Sequence, residues 1–470
     1  MGQIVVAGGG MCGLAAAMML ADDGHEVTVL ERDAMAPPAD PDAAFRDWDR
    51  ASIGQFGLAH WLLARGSSIL EQQVPSAYRL LDEHGGLHVN LTKYLLSMQP
   101  DAVVEPEDDR FDQITGRRAA IEWAMATAAH AHPGVIVRRG EAIAGFATGA
   151  SVLDGVPHVN GLRLASGESI AADLVIDATG RRSSTPSWLA DIGATAPVEH
   201  SEDSGFAYYG RYYRSADGST PPVFGPLLGP IGSFSVLTLP ADNGTWAITL
   251  YGRSDDKPLR RFRDLEVFER VVKACPLYAH WLDGTPISDI SSMAGVVDRY
   301  RRFVVDGAPC ATGVLVVGDA SSCTNPSLGR GISLGLMHVE ELRASVAEHV
   351  NDAVQLALDF DARTEAALRP WHDATATADR RRQRDMIAFA DGRQPDVEAT
   401  VSVETLLGAV AGSDVVAARA FGDILGCLAT ADEVFARPGI RDHIASLSAS
   451  ADLSPIPGPD RAQLLGLVSA

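Results

Sequence analysis

The run Gly8-Gly9-Gly10-Met11-Cys12-Gly13 restricts this chain more than any other feature, because it stands between the apolar stretch QIVVA at residues 3–7 and the helix-forming stretch LAAAMMLAD. Glycines spaced as Gly8, Gly10 and Gly13 permit a tight turn. They also let backbone N–H groups and a helix N-terminus approach a pyrophosphate. The next apolar run, VTVLE at 27–31, ends in Glu31, with Arg32 directly after it. A carboxylate at that place can accept hydrogen bonds from an adenosine ribose. Strand, glycine turn, helix and acidic strand end thus predict a βαβ unit with a dinucleotide at its crevice. A purely structural glycine turn explains the glycines but not the acid, and the motif alone does not choose NAD over FAD.

A second motif makes that choice. Gly318-Asp319-Ala320 closes the buried-strand pattern VLVVGDA, and Asn325-Pro326-x-x-Gly329-Arg330-Gly331-Ile332 then opens a helix that runs to about residue 350. An aspartate at the end of a buried strand can accept from ribityl hydroxyls. A helix N-terminus opened by glycine can stabilise the negative charge that reduced flavin carries at its N1/O2 edge. FAD is therefore the expected cofactor, with Gly318, Asp319, Pro326, Gly329, Gly331 and Ile332 at its flavin end.

At 470 residues the chain has room for two to three domains. Its 61 acidic against 39 basic residues give a formal charge of −22, which repels phosphate backbones and anionic head groups, so neither nucleic acid nor membrane is an expected partner. The five cysteines lack C-x-x-C spacing, which argues against a disulfide framework or a zinc site and fits a reducing cytoplasm; no metal is expected. Residues 34–56 read as irregular and 57–84 as helical, and RRAAIEWAMATAAH at 117–130 as a second helix. ADLVIDATG at 172–180 reads as another buried strand. FAYYGRYYR, SFSVLTL and TWAITLYG read as antiparallel strands. At period two, Tyr208 and Tyr212 share one face of their strand and Tyr209 and Tyr213 the other; one pair lines a substrate space, and the pattern does not say which.

With these residues in view, the chain resembles the flavoprotein monooxygenases of the p-hydroxybenzoate hydroxylase type, in which a GxGxxG and a GD motif form the two ends of the FAD site. Three stretches are similar to a narrower group, the actinobacterial flavin epoxidases and hydroxylases of polyketide biosynthesis. These are Gly54-Gln55 through His60 to Gly66, Arg118-Ala-Ala-Ile-Glu-Trp, and ADLVIDATGRRS. The chain departs from the group at Leu58, where a histidine is usual, and at Ser327, Leu328 and Arg330 in the loop that faces the flavin.

The resemblance implies an α/β FAD-binding Rossmann-like domain of the glutathione-reductase type, an inserted antiparallel β-sheet substrate domain and a C-terminal helical region. The expected boundaries are 1–90, 110–182 and 296–375 for the FAD domain, 91–109 and 183–295 for the sheet domain, and 376–470 for the helices. It implies that Arg118 contacts FAD and that His60 takes a flavin-side or pocket place; with His60, Tyr208 and Tyr212 are the substrate candidates among the strand's tyrosines, and Arg46 sits where such hydroxylases often place an arginine after the second strand. Asp177 reads as a structural strand end.

The activity implied is monooxygenation: a flavin C4a-hydroperoxide gives one atom of O2 to an apolar or aromatic secondary metabolite, by hydroxylation or epoxidation. The cofactor carries the chemistry, so no catalytic side chain is named. A flavin halogenase is one rival; it normally has W-x-W, absent here, and a lysine, for which Lys93 is the candidate. A flavin alkene reductase or dehydrogenase is the other. With one GxGxxG present, NAD(P)H is expected to reduce FAD by transient docking, the alternative being a separate flavin reductase.

Overall fold

The computed structural model describes residues 2–395 and 403–469, so the helical reading of 396–402 lies outside the described residues. Five parallel strands form the first sheet, in the order Val314–Val316, Leu174–Asp177, Gln3–Ala7, Glu26–Glu31, Val135–Arg139. Val5, Val6, Ile176 and Val316 are buried, as strands covered on both faces must be. The helices Met11–Asp22, Arg118–Ala131 and Gly331–His349 pack together with the sheet, and the alanine-rich faces of the first two permit close approach.

The chain then leaves this unit to build a six-stranded antiparallel sheet around Phe206–Arg214, Phe234–Ala241 and Thr245–Arg253. Every apolar side chain of FAYYGRYYR is buried, so both faces of that strand are covered. One face carries Tyr209 and Tyr213 into a core with Trp246, Trp281 and the helix Leu265–Lys273. The opposite face carries Tyr208 with Phe206, Tyr251, Met293 and Leu58, and Tyr212 against Phe45. A buried charge cluster joins sheet and FAD unit: Arg117 donates from Nε to both carboxylate oxygens of Asp242 (3.0 and 3.1 Å) and from Nη2 to Asp42 (2.6 Å).

Two expectations change. The segment 34–56 contains a short helix, Pro41–Asp47, whose start was legible: Asp40 caps it by accepting from the Ala43 N–H (2.7 Å) and proline takes the first turn. Residues 57–63 are not helical; helices run Ala64–Gln73 and Pro75–Glu83, parted where Pro75 cannot continue the first. The segment 91–110 packs on the helix Val415–Leu425 through Arg419–Asp108 and Arg110–Asp423 ion pairs. The helix Arg369–Ala390 runs across residue 375, and the last helix, Arg461–Ser469, packs on the antiparallel sheet, where Leu464 and Val468 enter its core. Among the described residues no helix is long and apolar enough to cross a membrane.

Candidate functional site

Backbone geometry forces the first glycine turn. Gly8 has φ +105°, and a Cβ on Gly13 would overlap the Gly8 carbonyl oxygen, so neither position tolerates a side chain. Gly10 is different: nothing lies within 4 Å of a Cβ placed there. Gly10 is the N-cap of Met11–Asp22 and no side chain caps that helix, so its first N–H groups face the open side. Glu31 is buried and braces the turn, accepting from the N–H of Gly9 (2.9 Å) at one oxygen and of Asp33 (2.8 Å) at the other. Each oxygen keeps a lone pair for a ribose hydroxyl. Arg32 is exposed.

The flavin-end motif is held by a residue that sequence reasoning missed. Gly318 has φ +60°, and its N–H donates to Nδ1 of the fully buried His338 (3.1 Å). The other ring nitrogen, Nε2, is 3.0 Å from Thr364 Oγ1, whose own hydrogen goes to the Phe360 carbonyl (2.7 Å). Burial pushes His338 down to about 3, so the ring is neutral, with its proton on Nε2. The adjacent Asp319 carboxylate has no hydrogen bond among the described residues. Burial raises its pKa, against the opposing charges of Arg118, Arg181 and Arg299.

Gly331–His349 also starts without a side-chain cap, beyond Gly329 in the left-handed region (φ +67°), and nothing lies within 4 Å of a Cβ on Gly329 or Gly331. Ile332 sends its side chain into the core, so only its N–H faces a ligand; Pro326 begins the short turn ahead of Gly329. Cys12 Sγ would touch a Cβ on either Gly318 or Gly335, which sets the starts of the two helices side by side.

Arginines gather here in an otherwise acidic chain. Arg118 donates from Nε (2.8 Å) and Nη2 (2.5 Å) to the fully buried Glu122, and its charge joins burial in holding His60 well below the usual histidine range. His60 Nε2 is buried without a partner. Arg46 is exposed and paired with Asp47; the buried arginine after the second strand is Arg50, which donates to the Gly9 carbonyl (3.2 Å) and lies over the Trp48 ring. Nε and Nη1 of Arg50 and all three guanidinium nitrogens of Arg139 are buried without hydrogen-bond partners, leaving donors for an anionic group. Arg181 lies against Gly54, which brings two of the quoted motifs together, and Arg299 donates to its carbonyl (2.7 Å). Glu122 and Arg181 stand inside motifs already visible in the sequence; Arg50, Arg299 and His338 carried no signal.

Asp177 is structural: Thr179, Ser183 and Thr185 saturate both its oxygens. Lys93 is engaged by Asp109 (2.7 Å) and Asp112 (3.0 Å) in an exposed cluster. Tyr208 donates to Asn325 Oδ1 (2.7 Å) and Tyr212 to the Leu58 carbonyl (3.0 Å), so this pair, not Tyr209 and Tyr213, faces the flavin-end loop and the Gly54–Gly66 segment.

No family model matches the chain. Protein Rv3254 of Mycobacterium tuberculosis is 27% identical over 361 residues, covering 73% of this chain and 72% of that protein. Among solved structures, PqsL, a probable FAD-dependent monooxygenase from Pseudomonas aeruginosa, aligns over 82% of this chain and 96% of its own at 15% identity and TM-score 0.56. A 2-methyl-3-hydroxypyridine-5-carboxylic acid oxygenase (C294A mutant) aligns over 80% of this chain and 90% of its own at 17% identity and TM-score 0.53. The chain has the p-hydroxybenzoate hydroxylase-type fold. The Diels-Alderase PyrE3 of the pyrroindomycin pathway shares it at 18% identity and TM-score 0.58, over 90% of this chain and 80% of its own.

Proposed function

We propose that this chain is an FAD-dependent monooxygenase that transfers one oxygen atom from O2 to an apolar or aromatic secondary metabolite, of the kind handled by actinobacterial polyketide hydroxylases and epoxidases. The observation that carries the reading is the side-by-side start of two uncapped helices, at Met11 and Gly331, with open space at Gly10, Gly329 and Gly331 and an uncommitted Asp319 carboxylate. These residues fit FAD. The pyrophosphate would meet the N–H groups of Met11–Asp22 and the free donors of Arg50 and Arg118, the ribityl chain Asp319, and the flavin edge the N–H groups that open Gly331–His349. FAD, when bound, supplies reducing equivalents and activates dioxygen.

The protein's own contribution is binding, dryness and orientation. His338 holds the turn that aims Asp319, and Glu122 fixes the plane of the Arg118 guanidinium. The wall made by Tyr208, Phe206, Tyr251, Met293 and Leu58 excludes water, as a reaction that must not leak peroxide requires. Tyr208 is held protonated far above the usual phenol range, first by burial and then by nearby Tyr251 and Asp379, so it acts as a hydrogen-bond donor and not as a base.

PyrE3 carries another chemistry on the same fold, so the reaction is tested by its product. Turnover of candidate aromatic polyketides under isotopically labelled dioxygen is expected to add one labelled oxygen. An isomerised, halogenated or hydrogenated product overturns the assignment. We further propose direct reduction by NADH or NADPH. Anaerobic stopped-flow mixing with substrate present is expected to bleach the oxidised flavin band, and an unchanged band assigns reduction to a separate flavin reductase.

A further inference from the structure

The helix Arg369–Ala390 presses one carboxyl group into the junction of all three regions. Asp379 is 3% exposed. Its Oδ1 accepts from Asn325 Nδ2 (3.0 Å) and Ser327 Oγ (2.9 Å), both in the loop ahead of Gly331. Asn325 in turn accepts the Tyr208 hydroxyl and donates its backbone N–H to Asp298 (2.6 Å). Oδ2 is buried and has no partner. A buried acceptor left unpaired is costly, and native structures contain few of them.

Among the described residues, Arg330 and Arg382 are turned elsewhere. Arg330, whose charge favours the ionised form, is turned to Thr375 Oγ1 (3.3 Å) and lies over the Trp371 ring (5.0 Å). Arg382, one turn further along the same helix, is spent on Ser235 and the carbonyls of Gly232 and Phe234. Asp298 adds like charge. The charge of Asp379 reaches the Tyr208 and Tyr251 phenols, which places the carboxyl beside the aromatic wall. On that wall the Tyr208 hydroxyl is already committed to Asn325, which leaves Asp379 Oδ2 as an unfilled acceptor beside hydrocarbon and aromatic side chains.

We propose that Asp379 anchors the substrate, its Oδ2 accepting from an ammonium or hydroxyl group carried on an otherwise apolar aromatic frame. This rests on the monooxygenase reading and narrows its substrate class to molecules with such a donor. Burial, first, and Asp298 push the carboxyl up to about 7, so near neutrality it is poised between its two forms and a bound cation draws it to the ionised one.

Three probes of similar size separate the possibilities on the purified flavoprotein: 2-phenylethylamine, 2-phenylethanol and propylbenzene, titrated calorimetrically with the flavin absorbance followed in parallel. Wild-type protein is expected to bind the amine and the alcohol at least about tenfold more tightly than propylbenzene. In Asp379→Asn, with FAD content unchanged, the preference for the amine is expected to disappear. Equal affinity for the three probes in the wild type, or an undiminished amine preference in the variant, overturns the proposal.

A second measurement needs no variant. At pH 6, amine binding in buffers of different ionisation enthalpy is expected to release protons, which the alcohol and propylbenzene do not do; no release with the amine overturns the anchor. Calorimetry reads the anchor whether or not flavin is bound. A protein that takes up no FAD while still preferring the amine therefore sinks the oxygenase reading and leaves the anchor standing.

Discussion

The two halves of the site are built over different distances along the chain. In the parallel-sheet half, Gly8 meets Gly13 and the Gly9 N–H meets Glu31 only 22 residues away. In the antiparallel-sheet half, Tyr208 reaches Asn325 across 117 residues, Asn325 reaches Asp379 across 54, and Arg117 reaches Asp242 across 125. The first half is shaped by backbone sterics, which any reader of consecutive residues can find. The second is shaped by side-chain pairs that exist only after the sheet and the long helix have docked.

The strongest way to break this contrast is at the junction. Asp242→Ala leaves the buried Arg117 guanidinium with only the half-buried Asp42 as its carboxylate partner, and removing one partner of a buried pair costs about 3–5 kcal/mol. Urea unfolding followed by circular dichroism should show that loss; a midpoint within error of wild type would mean that the two halves are not held together by this cluster.

Two glycine substitutions sharpen the comparison inside the cofactor half. Gly13→Ala forces a Cβ onto backbone and is expected to destabilise the apoprotein by about 1–3 kcal/mol or more, as overpacking does, besides losing FAD. Gly10→Val enters open space, so the apoprotein should melt as wild type does while FAD is lost. Thermal melts of both apoproteins beside their visible spectra separate a structural glycine from a ligand-facing one, and equal melts would erase the distinction.

Asp319→Ala is expected to weaken FAD by tenfold or more without lowering apoprotein stability, because the carboxylate holds nothing within the protein and its ionised form is penalised by burial. Fluorescence titration with FAD reads the affinity, and full retention of FAD would remove Asp319 from the site. The smallest effect belongs to Lys93→Ala. Exposed ion pairs contribute about 0–1 kcal/mol, and turnover should be unchanged; loss of turnover with FAD retained, together with halide-dependent product, would revive the halogenase alternative.

Both glycine motifs, the parallel strands and the antiparallel insertion could be read from the chain because local rules write them into neighbouring residues. Positive φ demands glycine, buried strands demand apolar runs, and period two divides Tyr208 from Tyr209. The short helix at Pro41 was equally legible through Asp40, since proline in the first turn starts a helix rather than breaking one. Arg46 and Arg50 stand four residues apart, the first on the helix Pro41–Asp47 and the second beyond its end. Periodicity could not tell which is buried, since what buries Arg50 is Trp48 beneath it and Glu31 and Glu122 beside it.

From sequence alone came the dinucleotide crevice, the preference for flavin and the pairing of Tyr208 with Tyr212. Tertiary structure alone decided which tyrosine pair faces the loop, that His338 holds the Gly318 turn, and that Asp379 lies beside the aromatic wall with one oxygen unfilled. The physical reason is range. Backbone conformation depends on a residue and its immediate neighbours, whereas the burial of a charge and the partner of a hydrogen bond are set by whatever the folded chain brings against it.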